Sequence, residues 1–275
     1  CSVKQKPIDK IKNQIITLKR QENKPEIILT GCILPKDKEM FKKLGAEIKD
    51  FKEIDNIMPK MAYIPITRGC NNFCTYCAVP YTKGREKHCS VKKILSEVKQ
   101  LIKKDHKKIM LLGQNVNSYP NFVALLKKIT ALDGNFTVEF LSNHPKDFSD
   151  ELITEIAQNP KLEKYVHLPY QSGDNEILKK MNRKYTRQEY LRLIDKIKKA
   201  IPNIRITTDA IVGFPGETKE QFQHTVDVAK KVKFKQIYIS KFSPREGTPA
   251  SLMNDDVSLE EKKRREKVLR ETIKK

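Results

Sequence analysis

The chain alternates between short apolar runs and longer stretches with apolar residues every three or four positions. The runs are "AYIPITRG" (62–69), "KIMLLG" (108–113), "FTVEFL" (136–141), "KYVHLP" (164–169), "IRITTDAIVG" (204–213) and "KQIYISKF" (235–242). Each has strand length and is nearly continuous in apolar character, as in strands covered on both faces. Helical patterns lie between them. The clearest spans 90–104, where Val91, Ile94, Leu95, Val98, Leu101 and Ile102 share a face and Ser90 stands as N-cap. Others fall at 121–130, 150–157, 175–181 and 186–199, and a last one runs to 231. Thr186 with Glu189 and Thr218 with Gln221 read as helix starts.

Strands alternating with helices predict a parallel sheet with right-handed crossovers. Six such units are too few to close an eight-stranded barrel, so the expected fold is α/β, an open partial (β/α)6 TIM-like barrel. Residues 1–55 read as helix, strand, helix, strand, a truncated small α/β domain with Ile8, Ile11, Ile15 and Leu18 on one helical face. Pro59 in "NIMPKM" marks a break. The expected division is therefore 1–55, a core at 61–250, and a charged C-terminal helix within 251–275. Residue 1 is Cys, not Met, which reads as a piece of a longer protein.

Charge narrows the class. There are 55 Lys+Arg against 34 Asp+Glu, a net +21, which favours a polyanionic partner, nucleic acid ahead of membrane. No apolar run approaches the roughly 20 residues of a membrane helix, and no signal peptide is visible. A cytoplasmic, reducing location is expected, where clustered cysteines bind metal or do chemistry more often than they form disulfides.

Three of the six cysteines, Cys70, Cys74 and Cys77, fall in one loop after the first core strand. In β/α barrels, loops at the C-terminal ends of strands carry the chemistry. Structural zinc takes four ligands, commonly in C-x-x-C pairs. A [4Fe–4S] cube held by only three cysteines leaves one iron free to chelate a small molecule. A zinc site with a remote fourth ligand and chance clustering remain the alternatives. Cys89, in "EKHCS", reads as a passive thiol. His88, His106 and His224 are expected at solvated positions, while His144 and His167, near strand ends, are expected to make structural hydrogen bonds. The basic runs "KKDHKK" and "EKKRREK" read as solvated faces, and "YTKGREK" as an RNA contact beside the active mouth.

Cys70-x-x-x-Cys74-x-Tyr-Cys77 after a first barrel strand resembles the radical S-adenosylmethionine (SAM) superfamily. The stretch "GCNNFCTYCAVPYTKGREK" resembles the methylthiotransferase family within it. Further matches are "LLGQNVNSY" (111–119), "HPKDFSDELI" (144–153), "HLPYQSGDNEILKKMNRKYTRQEY" (167–190), "DAIVGFPGET" (209–218) and "KFSPREGTPA" (241–250). "LLGQNVNSY" is most similar to the MiaB-like branch, which modifies tRNA.

The resemblance implies a [4Fe–4S] cluster on Cys70, Cys74 and Cys77 whose open iron binds SAM. One electron, from a donor such as flavodoxin or ferredoxin, then cleaves SAM to a 5′-deoxyadenosyl radical. That radical takes hydrogen from C2 of an N6-isopentenyladenosine beside the tRNA anticodon, and a methylated sulfur from a second [4Fe–4S] cluster replaces it. Tyr76 is expected against adenine, and Gln114 and Asn115 near the methionine part of SAM. Gln171, Ser172 and Gly173 are expected at the ribose or carboxylate, with backbone N–H groups of the following helix free for an anion. Gly213 and Glu217 are expected near the adenosine, and Arg245 at SAM or an RNA phosphate. Cys1 and Cys32 match two of the three ligands of the second cluster, the third lying upstream of residue 1. An RNA-binding barrel is expected after residue 275, and the protein is expected to be a monomer. Competing readings are a methylthiotransferase for threonylcarbamoyladenosine tRNA or for a ribosomal-protein aspartate, and a non-catalytic RNA-binding protein with a structural metal.

Overall fold

The computed structural model describes residues 5–21, 23, 25–29, 33, 35–49 and 61–274. Cys1 and Cys32 lie outside them. The first elements are α1 (Gln5–Lys19), β1 (Ile28–Leu29), α2 (Pro35–Lys43) and β2 (Glu47–Ile48), with β1 and β2 parallel. Their helical faces close a small core of Ile8, Ile15, Ile27, Phe41 and Ala46.

The chain continues through β3 (Met61–Pro65), β4 (Thr67–Arg68), α3 (Val79–Lys83), β5 (Lys87–His88), α4 (Val91–Lys103), β6 (Lys108–Leu112), α5 (Phe122–Thr130) and β7 (Thr137–Phe140). It ends with α6 (Asp150–Gln158), β8 (Tyr165–His167), α7 (Asn175–Lys180), α8 (Arg187–Ala200), β9 (Arg205–Val212), α9 (Lys219–Val232), β10 (Gln236–Lys241) and α10 (Leu259–Lys274). Two parallel sheets, β3-β6-β7 and β8-β9-β10, meet at a seam. There the Val138 N–H donates to Lys161 O (2.7 Å) and the Glu163 N–H to Val138 O (3.1 Å). The six strands thus stand in chain order, and no pairing joins β3 to β10 among the described residues. The expected open, partial barrel is what forms.

Helix starts follow the sequence. Ser90 accepts from the Lys93 N–H, and both capping boxes are made. Buried Ile94, Val98 and Leu101 seat α4 on the sheet, each contributing about 1.5–3 kcal/mol relative to exposure.

The strands depart from expectation on one face. Side chains alternate along a strand. Ile206, Ala210 and Val212 of β9 join the core beneath the helices. The alternate positions face the barrel lumen, and there β8 and β9 carry His167, Thr207 and Asp209, joined to one another by hydrogen bonds. One histidine also differs, while His88 is exposed as expected. His106 is buried, because the chain folds back after α4 and its N–H donates to Leu101 O. His224 lies 2.8 Å from an Asp174 carboxylate oxygen and His88 2.7 Å from that of Glu86. The antiparallel β4–β5 pair and α3 have no periodicity long enough to read from sequence.

Candidate functional site

The three-cysteine loop leaves the C-terminal end of the first barrel strand and is closed at its base by β4 and β5, with Thr67 opposite His88 and Arg68 opposite Lys87. Distant segments hold it. The Gly69 N–H donates to Gln114 Oε1 (2.9 Å). Asn182 donates to the carbonyls of Asn72 (3.2 Å) and Phe73 (2.9 Å), supporting a Phe73 backbone at φ 49°. Thr75 donates from N to Met181 O (3.1 Å) and from Oγ1 to Lys180 O (2.8 Å). A loop tied at this many points holds its thiols in fixed relation.

All three thiols are free; Cys70 and Cys74 are buried and Cys77 half-buried. Burial raises the Cys70 thiol and pushes Cys77 up to about 12. Each sulfur nevertheless has a donor aimed at it. The Asn72 backbone N–H bonds Cys70, the Val79 N–H bonds Cys77, and Arg183 donates to Cys74 Sγ at 3.5 Å. At Cys70 and Cys77 the backbone donors offset the upward effect of burial only in part. Among the described residues no three His, Cys, Asp or Glu side chains converge to hold a single metal ion. A cube needs no such convergence, since each of its irons takes its own thiolate.

The loop opens on a cleft of about 980 Å³ lined by Tyr76, Cys77, Gln171, Asp209, Arg245 and Lys262, among others. Tyr76 packs on the Ile177, Met181, Ile211, Phe214, Phe242 cluster, leaving its ring at the cleft edge. Gln171 adopts φ 64° and bridges to β9 at Ala210. Burial lowers the Arg245 guanidinium. Asn115 is buried and donates to Asp147 Oδ2 (2.8 Å), while its Oδ1 is buried with no partner among the described residues.

Four expected contacts are engaged elsewhere. The Gly173 N–H donates to Thr225 Oγ1 (2.9 Å), and a Cβ on Gly173 would meet His224 O at 2.3 Å, so its place is against α9. Ser172 Oγ accepts the Asp174 N–H (3.2 Å), and Asp174 itself caps α7 by accepting from Glu176 and Ile177. Those amides are not free for an anion. Glu217 is fully buried, and its Oε2 accepts from Arg265 (2.7 Å) and from the Gly213 N–H. Gly213 leaves room for Lys262, whose Cγ would lie 2.3 Å from an added Cβ. Gly213 and Glu217 therefore anchor α10 to the end of β9. Sequence reasoning passed over Arg183 and Asp209. Arg183 lies 109 positions from its sulfur partner; for Asp209 the signal was a lone acid within an apolar strand.

The sequence profile of the Radical SAM superfamily matches residues 64–229. The chain belongs to the radical SAM superfamily. That family implies a [4Fe–4S] cluster and SAM, the chemistry the donor-rich cysteine loop suits. Two relatives are each called tRNA-2-methylthio-N(6)-dimethylallyladenosine synthase. The one from Fusobacterium nucleatum is 50% identical over 211 residues, covering 74% of this chain and 48% of the relative. The one from Endomicrobium trichonymphae is 45% identical over 232 residues, covering 83% and 54%. The chain thus spans about half the length of the curated relatives it matches. The radical SAM fold is also seen in coproporphyrinogen III oxidase from Escherichia coli, with a TM-score of 0.59 at 15% identity, over 82% of this chain and 54% of that one.

Proposed function

We propose that this chain is the catalytic core of a tRNA methylthiotransferase that places a methylthio group on C2 of N6-isopentenyladenosine next to the anticodon. The observation that carries the reading is a pinned three-thiol loop, with a donor at each sulfur, opening on a deep cleft at the barrel mouth. The two relatives' names and their identity to this chain support the substrate assignment, and the +21 net charge suits a polyanion.

Cys70, Cys74 and Cys77 would hold the cluster. Bound there with SAM, it supplies one-electron cleavage of SAM to a carbon radical. Around it, this chain's residues orient and exclude. Tyr76 offers a flat face for adenine. Asn115 Oδ1, an acceptor with no partner among the described residues, suits an ammonium donor such as that of methionine. Gln114 acts one step back by holding the loop at Gly69. The apolar cluster under Tyr76 keeps water from that side of the cleft. Cys1 and Cys32 would contribute to a second cluster, with a third cysteine upstream. A flavodoxin or ferredoxin would supply the electron, and the protein would act as a cytoplasmic monomer. The test is a paired assay of the full-length protein on isopentenylated and threonylcarbamoylated tRNA under anaerobic reduction. Methylthiolation of the first alone is expected, and preference for the second would overturn the substrate assignment.

A further inference from the structure

Glu86, just before β5, carries a buried carboxylate that the reading above leaves without a task. Its side chain is 5% exposed, and it is not among the residues lining the cleft. Close contacts place it beside the first cysteine. The Cys70 N–H donates to Gly84 O (3.3 Å), and the Glu86 N–H donates to Asn71 Oδ1 (3.1 Å). A Cβ on Gly69 would meet Arg85 O at 2.3 Å. Residues 84–86 therefore run directly along 69–71.

The carboxylate is held in one orientation. Ser118 Oγ donates to its Oε1 (2.6 Å), and His88 Nε2 lies 2.7 Å from the same oxygen. Two donors on one oxygen suit an ionised carboxylate, which only accepts. Buried charges are ordinarily paired. Here the ion-pairing group among the described residues is His88, which is charged only when protonated. Arg85, the next residue back, is turned over the Phe73 ring instead, 4.5 Å from its centroid. The field of Glu86 is thus left largely uncancelled, and it reaches the loop, where it helps to raise the Cys70 thiol. Strand pairing does not call for an acid at this place, since β5 meets β4 through Lys87 and His88.

We propose that Glu86, fixed by Ser118 and His88, holds down the reduction potential of the cluster carried by Cys70, Cys74 and Cys77. The inference rests on the cluster reading above. One electron entering the cluster adds negative charge, and a fixed carboxylate beside it disfavours that reduced state. Net charge near the cluster is one of the levers that set such potentials. Through an effective dielectric of about 20, a unit charge changes a one-electron equilibrium about tenfold even from roughly 12 Å. A lower potential gives the electron a greater driving force toward SAM once it is on the cluster. Glu86 stands outside the cleft, so it is a positioning residue that acts on the cluster through its charge.

The test is a redox titration of the full-length protein after anaerobic reconstitution, with titanium(III) citrate as reductant and the reduced cluster read by electron paramagnetic resonance. The parent for all samples carries Cys1→Ala and Cys32→Ala, so that the three-cysteine loop alone takes up a cluster, and iron is counted in each sample. Glu86→Gln keeps an acceptor for Ser118 and His88 but loses the charge. Its potential should rise by about 59 mV or more, which is tenfold for one electron. Glu86→Asp and Ser118→Ala keep the charge and should stay close to the parent, with iron content equal throughout. An unchanged potential in Glu86→Gln overturns the inference. So does an equal rise in Ser118→Ala, which would trace the shift to a loosened loop and not to a lost charge. Loss of iron in Glu86→Gln would make Glu86 a peg for the loop and overturn it as well. Failure of the parent itself to take up iron would instead strike the cluster assignment.

Discussion

Arg183 donates from one guanidinium nitrogen to Cys74 Sγ at 3.5 Å, and from another to Pro169 O at 3.1 Å. Its Nε meets Tyr185 OH at 3.0 Å. A buried cation beside a buried sulfur gives that corner of the loop a charge-assisted hydrogen bond. Arg183→Met should therefore destabilise the protein by about 2–4 kcal/mol in urea unfolding, since it strands buried acceptors. A chelator should also strip iron from the variant faster. Iron retention equal to that of the unaltered protein would remove Arg183 from the site.

Replacing Cys70, Cys74 and Cys77 together with Ala should remove about four irons per chain after anaerobic reconstitution. Cys89→Ser should keep them, because Cys89 Sγ is directed at Pro65 O, 3.3 Å away. Iron quantification with the visible spectrum reads both, and loss of iron in the Cys89 variant would mean a different ligand set.

His144 is buried, and burial with the nearby charges of Arg183 and Lys146 lowers its pKa to about 2. Its Nδ1 accepts from the Lys146 N–H, so the folded protein holds it neutral. The unfolded chain protonates it below about 6.5. A depressed folded value means that the unfolded state binds the extra proton, so stability is lost as pH falls below 6.5, by at most about 1.4 kcal/mol per pH unit. Unfolding free energies from pH 7 to 5 should fall less steeply in His144→Gln. Parallel curves would show that another group governs the acid limb.

Glu217 and Arg265 form a buried pair at 2.7 Å, with side chains 0% and 3% exposed. Burial raises the Glu217 carboxyl despite its cationic partner. Removing one member leaves a buried charge, so Arg265→Met should cost about 3–5 kcal/mol. The double variant Glu217→Leu/Arg265→Met should cost less than the two single changes added. Additive losses in chemical unfolding would contradict a coupled pair.

Much of the barrel was legible in the sequence because its signals are local. Six apolar runs, helical periodicity at 90–104 and the capping boxes at Thr186 and Thr218 each report on a few neighbouring residues, and each formed where expected. The cysteine spacing was local too, and it marked the loop after the first core strand. Which groups surround that loop was a matter of tertiary structure. Arg183 reaches Cys74 from 109 positions away, and Gln114 reaches Gly69 from 45. The same holds for residues whose chemistry looked available. Ser172, Gly173 and Glu217 are polar or permissive in sequence, yet a local turn and packing against α9 and α10 engage them with protein partners. Asp209 is the reverse case, one acid inside an apolar strand. Strand alternation put it on the lumen face, and the register of β8 against β9 brought His167 alongside to aim it. Periodicity depends on neighbours along the chain and can be read from them, whereas register and helix packing bring together residues far apart in sequence, and these decided the surroundings of each side chain at the site.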